Sequence, residues 1–228
     1  FPLKPCWSYL GASVVIHVVY FTVLLLAYKK GDMSLIYPLM RGIPPVLTAI
    51  AASIMMNEAL SWRGWLGIAL VSSGALMLTA DFRLSKRFEI VPVALALLNA
   101  MVIVVYTLVD AQGARLSGNA FSYTGWMLLL LALFFFIAIP VFEGRQVFYR
   151  MAKDWKKSII GGTCTFASYG IALWAMTLSP VALVAALRET SILFGTVFSV
   201  FLLKERITWI RGLSIALIVA GAIGIKIS

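Results

Sequence analysis

The chain has 228 residues, 62% of them hydrophobic and only 12% charged, with a mean hydropathy of +0.98. A soluble domain carries about 25% charged residues, so a water-soluble globular protein is excluded. The net charge of +10 does not point to nucleic acid, because the bases sit in short loops between apolar runs, the pattern of membrane topology signals.

Eight apolar segments are long enough to cross a hydrocarbon core, which takes about 20 helical residues. They lie near 8–28, 33–56, 62–80, 90–110, 120–142, 157–178, 182–203 and 208–227. The expected fold class is therefore all-α, a polytopic helical membrane protein with eight transmembrane helices. Loop charge sets its orientation. Thirteen Lys and Arg fall on one side (29, 30, 83, 86, 87, 145, 150, 153, 156, 157, 204, 206 and 211) and four on the other (4, 63, 115 and 226). The positive-inside rule puts the richer side in the cytoplasm and both ends of this chain outside. Phe1 opens no charged n-region with a cleavage site.

In chain order, the first segment carries His17, the only histidine. An imidazole titrates near neutral pH, so His17 is a candidate for proton coupling; hydrogen bonding to a neighbouring helix is the plainer role. The second segment contains Tyr37-Pro38-Leu39-Met40-Arg41-Gly42-Ile43-Pro44-Pro45. An arginine at mid-depth costs roughly 2.5–3.5 kcal/mol on insertion scales, and each internal proline removes a backbone hydrogen bond. Broken backbone at membrane depth survives only where it faces protein or a wet cavity, so this stretch is expected to line one. Farther on, Asn99, Tyr106, Tyr169 and Trp174 are polar-tipped groups at membrane depth that could line a pathway or simply pack, and Asp110 is read as interfacial at the end of its helix. Cys6 and Cys164 give no disulfide framework, and no metal-ligand spacing or cofactor motif is present.

The seventh segment returns to the second. A shift of 147 residues carries Arg41 onto Arg188, Glu58 onto Glu205, Trp62 onto Trp209, Ile68-Ala69-Leu70 onto Ile215-Ala216-Leu217 and Gly74-Ala75 onto Gly221-Ala222, without a gap. Each arginine precedes its loop glutamate by 17 residues. This is an internal repeat. The first copy, residues 1–80, holds three helices and the second, 88–228, holds five. Two helices at the start of the first copy have no counterpart here, so the chain reads as an incomplete 3 + 5 arrangement. Copies with an odd number of helices insert with opposite topology, the inverted repeat of many secondary transporters.

Asn57-Glu58-Ala59-Leu60-Ser61-Trp62-Arg63-Gly64-Trp65-Leu66-Gly67-Ile68-Ala69-Leu70 resembles the G-E-x-x-x-x-x-x-x-G-x-x-L-I-x-x-G end of an EamA domain. Lys204-Glu205 through Gly212 and Gly221 is similar. The resemblance implies a member of the drug/metabolite transporter superfamily, whose usual ten helices form two inverted five-helix repeats. Asn57 and Lys204 stand where that pattern has glycine. On this footing the chain is expected to be a secondary-active transporter or exporter of a small polar metabolite, working by alternating access around a central site between the repeats. A lipid-linked sugar flippase and a non-transporting membrane assembly partner are the alternatives. An enzyme is not expected, for want of a nucleophile with a base, and no P-loop motif points to ATP. Multi-pass insertion in a bacterial inner membrane is the expected localisation. Expected partners are the lipid bilayer and an anionic or zwitterionic small molecule, with a homo-oligomer left open.

Arg41, Arg188, Glu189, Tyr37, Tyr169 and Trp174 are the candidate substrate-binding residues, and Glu189 and His17 the candidates for proton coupling. Glu189 has Gly42 as its repeat counterpart and so breaks the symmetry. Arg41 and Arg188 could instead snorkel to an interface, and Glu189 could pair with an arginine of another helix. Glu58 and Glu205 suit the capping of helix ends.

Overall fold

Tracing the backbone hydrogen bonds shows why these segments are helical: in lipid every peptide group needs a partner within its own segment. A computed structural model describes residues 1–78, 90–144, 149, 153–195 and 208–227. Glu205 and Lys204 lie outside the described residues. Every element described is a helix: α1 (Trp7–Lys30), α2 (Met33–Gly42), α3 (Pro44–Met55), α4 (Trp62–Met77), α5 (Ile90–Leu116), α6 (Ala120–Glu143), α7 (Trp155–Leu178), α8 (Val181–Arg188) and α9 (Trp209–Lys226), after a short 3-10 turn at Lys4–Cys6. Among the described residues, six helical stretches are long and apolar enough to cross a membrane, including Leu35–Met55, which spans α2 and α3. The third and seventh expected segments are described over shorter lengths, as α4 and as α8 with residues 191–195. The chain is thus a polytopic helical membrane protein.

The repeat is visible in local structure. Ser61 caps α4 by accepting from the Gly64 N–H at 3.1 Å. Its counterpart Thr208 caps α9 by accepting from Arg211 at 3.2 Å; such caps contribute about 1 kcal/mol each. Asn57, at the position of the family's glycine, has a φ of 52°. This left-handed conformation ends the second segment, and asparagine tolerates it better than most residues that carry a Cβ. Glu58 then reaches a different segment: its Oε2 accepts the Val181 N–H, at 2.8 Å, capping the first turn of α8. A carboxylate there is favoured by the helix dipole as well as by the bond.

The chain divides into two compact units: residues 1–18 with 109–178, and residues 19–108 with 179–228. In the first, α6 packs on α7. Gly170 admits the Phe121 ring so closely that an added Cβ would stand 2.8 Å from it.

In the second unit the closest pair is α4 with α9, equivalent helices of the two copies. A Cβ added to Gly67 would lie 2.9 Å from the Gly221 carbonyl oxygen, and one added to Gly74 would lie 2.8 Å from that of Ser214. The start of α4 therefore meets the end of α9, and the two helices run antiparallel. The 147-residue shift carries Gly67 onto Ser214 and Gly74 onto Gly221, so it exchanges these two contacts. This is the self-complementary pattern of a two-fold interface, made within one chain by copies of opposite orientation. Small residues let helix backbones approach closely where lipid supplies no hydrophobic driving force. Ala49, Ile68, Val71, Ala182, Ala186 and Ile225 close the core around this seam, from α3, α4, α8 and α9.

Gly221→Leu should therefore force the seam apart, at a cost of about 1–3 kcal/mol for overpacking. Gly212→Leu, on the same helix but with nothing within 4 Å of its added Cβ, should be tolerated. Thermal unfolding of the two variants in detergent checks the difference; equal melting points would mean the seam does not carry the unit.

Candidate functional site

The second and seventh segments are both interrupted, at the same place in the repeat. In the first copy α2 stops at Gly42 and α3 starts at Pro44. Pro44 and Pro45 have no N–H, so they leave the carbonyls of Met40 and Arg41 without their helical donors. The second copy has no proline there, yet α8 stops at Arg188. The chain tightens instead: Glu189 donates to Ala186 at 3.0 Å, Thr190 to Leu187 at 3.1 Å and Ile192 to Glu189 at 3.0 Å, all three residues back. A 3-10 stretch inside a helix marks a hinge or a strained site. Residues 42–43 and 189–190 correspond under the 147-residue shift, so both breaks directly follow the paired arginines.

At these breaks Arg41 Nε stands 3.0 Å from Glu189 Oε2, with side-chain exposures of 22% and 7%. Neither atom has a hydrogen-bond partner, so this is a charge contact whose N–H is not aimed along the N···O line. Arg41 Nη2 donates to Ser191 Oγ at 3.1 Å, and the guanidinium carbon lies 5.9 Å from the Tyr37 ring centre. Tyr20 and Tyr106, edge to face at 5.5 Å, are within electrostatic reach of Arg41, and Arg188 is within reach of Glu189. Asn99 is fully buried, donating its amide N–H to Met40 Sδ at 3.1 Å while its Oδ1 has no partner. Among the described residues, the buried side-chain atoms without a hydrogen bond are Arg41 Nε, Thr48 Oγ1, Ser53 Oγ, Ser72 Oγ, Asn99 Oδ1 and Glu189 Oε2. All six belong to the second unit. Buried polar groups are normally paired, so each such atom calls for an explanation.

The structure thus brings four of the expected residues together: Arg41, Arg188, Glu189 and Tyr37. Tyr169, Trp174 and His17 belong to the first unit. Trp174 is half exposed and lines an open cavity of about 340 Å³ with Arg115, Asn119, Phe121 and Thr177. Tyr169 donates its hydroxyl to Asp110 Oδ2. Tyr123 donates to Asp110 Oδ1 at 3.0 Å, and His17 Nε2 lies 4.0 Å from Oδ2. Asp110, expected at an interface, is fully buried. The helix runs past the expected end at residue 110. Ala111, Gln112, Gly113 and Ala114 continue α5 to Leu116, placing Asp110 nearly two turns inside. The signal that would have found it is a carboxylate followed by small residues with no proline to stop the helix.

Residues 91–227 match the model of the EamA-like transporter family. No curated protein matches the chain. A solved crystal structure superposes on 99% of this chain and 79% of its own with a TM-score of 0.71 and 20% identity, a likeness of fold. With a match over more than half of its length, added to paired antiparallel helices and paired helix breaks, the chain belongs to the EamA-like transporter family.

Proposed function

We propose that this chain is a secondary carrier of a small zwitterionic metabolite, one bearing a carboxylate or phosphonate beside an ammonium group, and that it works by alternating access around Arg41 and Glu189. A bacterial inner membrane suits its loop charges. The observation that carries the reading is the buried, misaligned Arg41–Glu189 contact between two interrupted helices. Interrupted helices are where transporters of this kind hold substrate.

The chemistry follows from the cost of separating the pair. Removing one partner of a buried ion pair costs about 3–5 kcal/mol, because a charge is left uncompensated. A purely anionic ligand would take Arg41 and strand Glu189. A zwitterion replaces both partners at once, its anionic end on the guanidinium and its ammonium on the carboxylate. Tyr37, Tyr20 and Tyr106 would give the organic body of the ligand aromatic faces with polar tips. The antiparallel α4–α9 seam supplies a two-fold axis about which inward and outward states can exchange.

Two measurements test this. Amino acids, organic acids, sugar phosphates and aminophosphonates are screened for thermal stabilisation of the purified protein and of an Arg41→Ala, Arg188→Ala double variant. A zwitterion at a hundredfold its Kd should stabilise the wild type by about 2.7 kcal/mol and leave the double variant unmoved. Equal shifts in both proteins would take the arginines out of the site. Silence across the panel in a folded protein would favour flipping of a lipid-linked sugar or an assembly role.

The second measurement needs no ligand. Arg41→Gln alone should lose about 3–5 kcal/mol, and adding Glu189→Gln should restore most of it. Additive losses in the double-mutant cycle would show that the two side chains are not coupled.

A further inference from the structure

We propose that the cavity at the ends of α5, α6 and α7 is a binding site for one anionic phospholipid. Its phosphate sits on Arg115 and an acyl chain runs along Trp174, Phe121 and Phe166.

The cavity lies where three helices finish or begin: Leu116 ends α5, Ala120 starts α6 and Leu178 ends α7. In a spanning bundle such ends stand at the membrane surface. Arg115 lines the opening with Asn119, Phe121, Trp174 and Thr177, and among the described residues none that lines it is acidic. The walls are fixed by hydrogen bonds of the chain itself. The Ser117 hydroxyl donates to the Ala114 carbonyl at 2.7 Å and accepts the Asn119 N–H at 3.2 Å. Asn119 Oδ1 in turn accepts the Ser122 N–H at 3.0 Å. Between them Gly118 makes the turn, with a φ of 73°.

Arg115 Nε donates to the Met176 carbonyl at 3.0 Å, tying α5 to the last turn of α7. A backbone carbonyl positions a guanidinium but does not neutralise it. A held cation therefore borders an open cavity. Arg115 is also one of only four bases, with 4, 63 and 226, on its side of the membrane. The positive-inside rule leaves that side poor in charge, so orientation of the chain does not call for this arginine. Lys4 is another of the four. It follows Leu3, whose N–H donates to the Ser117 carbonyl at 3.2 Å, so a second, exposed base is brought to the same turn.

The apolar half of the ligand has a track. Phe166, Gly170 and Trp174 recur every four residues on one face of α7. Gly170 admits the Phe121 ring from α6, and the Phe121 and Phe166 ring centres are 6.4 Å apart. Phe121, Phe166 and Trp174 remain 39%, 37% and 49% exposed. From Trp174 to Phe166 this stripe descends about 12 Å along the helix, at 1.5 Å per residue. A cation at the surface above an exposed aromatic track matches the two halves of a phospholipid. A free phosphate would use the first and leave the second idle.

Native mass spectrometry of the purified full chain reads bound lipid directly. Phosphatidylglycerol and phosphatidylcholine with identical oleoyl chains are compared, with glycerol phosphate as the free-anion probe. The wild type should retain one phosphatidylglycerol over phosphatidylcholine by about fivefold, the worth of one base at a membrane surface. Glycerol phosphate at equal concentration should not displace it. Arg115→Gln should lose the preference, whereas Arg115→Lys and Lys29→Gln should keep it. Thr177→Glu leaves the Arg115–Met176 bond in place and sets a carboxylate in the cavity, so it should abolish the preference even if Arg115→Gln fails to fold. Equal retention of the two lipids by the wild type would overturn the proposal, as would an unchanged preference in folded Arg115→Gln or Thr177→Glu. Displacement by glycerol phosphate would assign the cavity to a free anion and overturn the lipid assignment. None of these outcomes depends on what the protein carries.

Discussion

Hydrocarbon cannot hydrogen-bond a backbone, and the rest of this structure depends on that constraint. Interrupting a helix at membrane depth exposes peptide groups that only protein or trapped water can satisfy. This chain interrupts two, at 43 and at 189–190, and surrounds both with close-packed protein. Behind α2, Gly42 accepts Leu76 of α4 so tightly that a Cβ would meet it at 2.7 Å. Just past the second break, Ile192 is buried in one cluster with Ala75 of α4 and Ile218 of α9. Both breaks thus depend on α4, and α4 depends on its antiparallel contact with α9.

The two buried polar clusters differ in how fully they are satisfied. Around Asp110, hydroxyls from two other helices converge on one carboxylate and α1 brings an imidazole to its edge, a network that rigidifies what it joins. Around Arg41, a charge contact is misaligned and three hydroxyls and an amide oxygen of the same unit have no hydrogen bond. A satisfied network suits a joint that holds its helices in one arrangement. An unsatisfied one suits a group that exchanges partners, because little hydrogen bonding has to be given up when a ligand enters.

Much of this was legible in the sequence, for definite reasons. Length and hydropathy located the helices because lipid imposes both. The repeat exposed the paired arginines, and Pro44 with Pro45 announced the first break. The second break has no proline and could be found only by carrying the first across the shift. The role of Asn57 was hidden because a left-handed φ is a property of the fold, and the sequence registers it only as a missing glycine. Asp110 was misplaced by a few residues of helix boundary. In an apolar helix the period carries no signal to place that boundary, since lipid-facing and buried sides are equally hydrophobic. The grouping of Tyr169 with His17, apart from Tyr37 with Arg41, follows from tertiary packing that no local pattern encodes.

The asymmetry at one position decides how the repeat can bind a ligand. A perfectly symmetric pair of copies would offer two arginines and equal residues beyond them, and so two equivalent anion sites. Gly42 cannot carry a carboxylate without displacing Leu76 from the α2–α4 contact. Position 189 lies at the corresponding break, and its side chain runs to Arg41 instead. Packing therefore fixes which copy holds the acid. On the proposed reading, a ligand with unlike ends enters in one orientation, its anion towards the first copy and its cation towards the second. In the carrier we propose, two-fold symmetry supplies the interchangeable states, and this single departure from it gives the site its polarity.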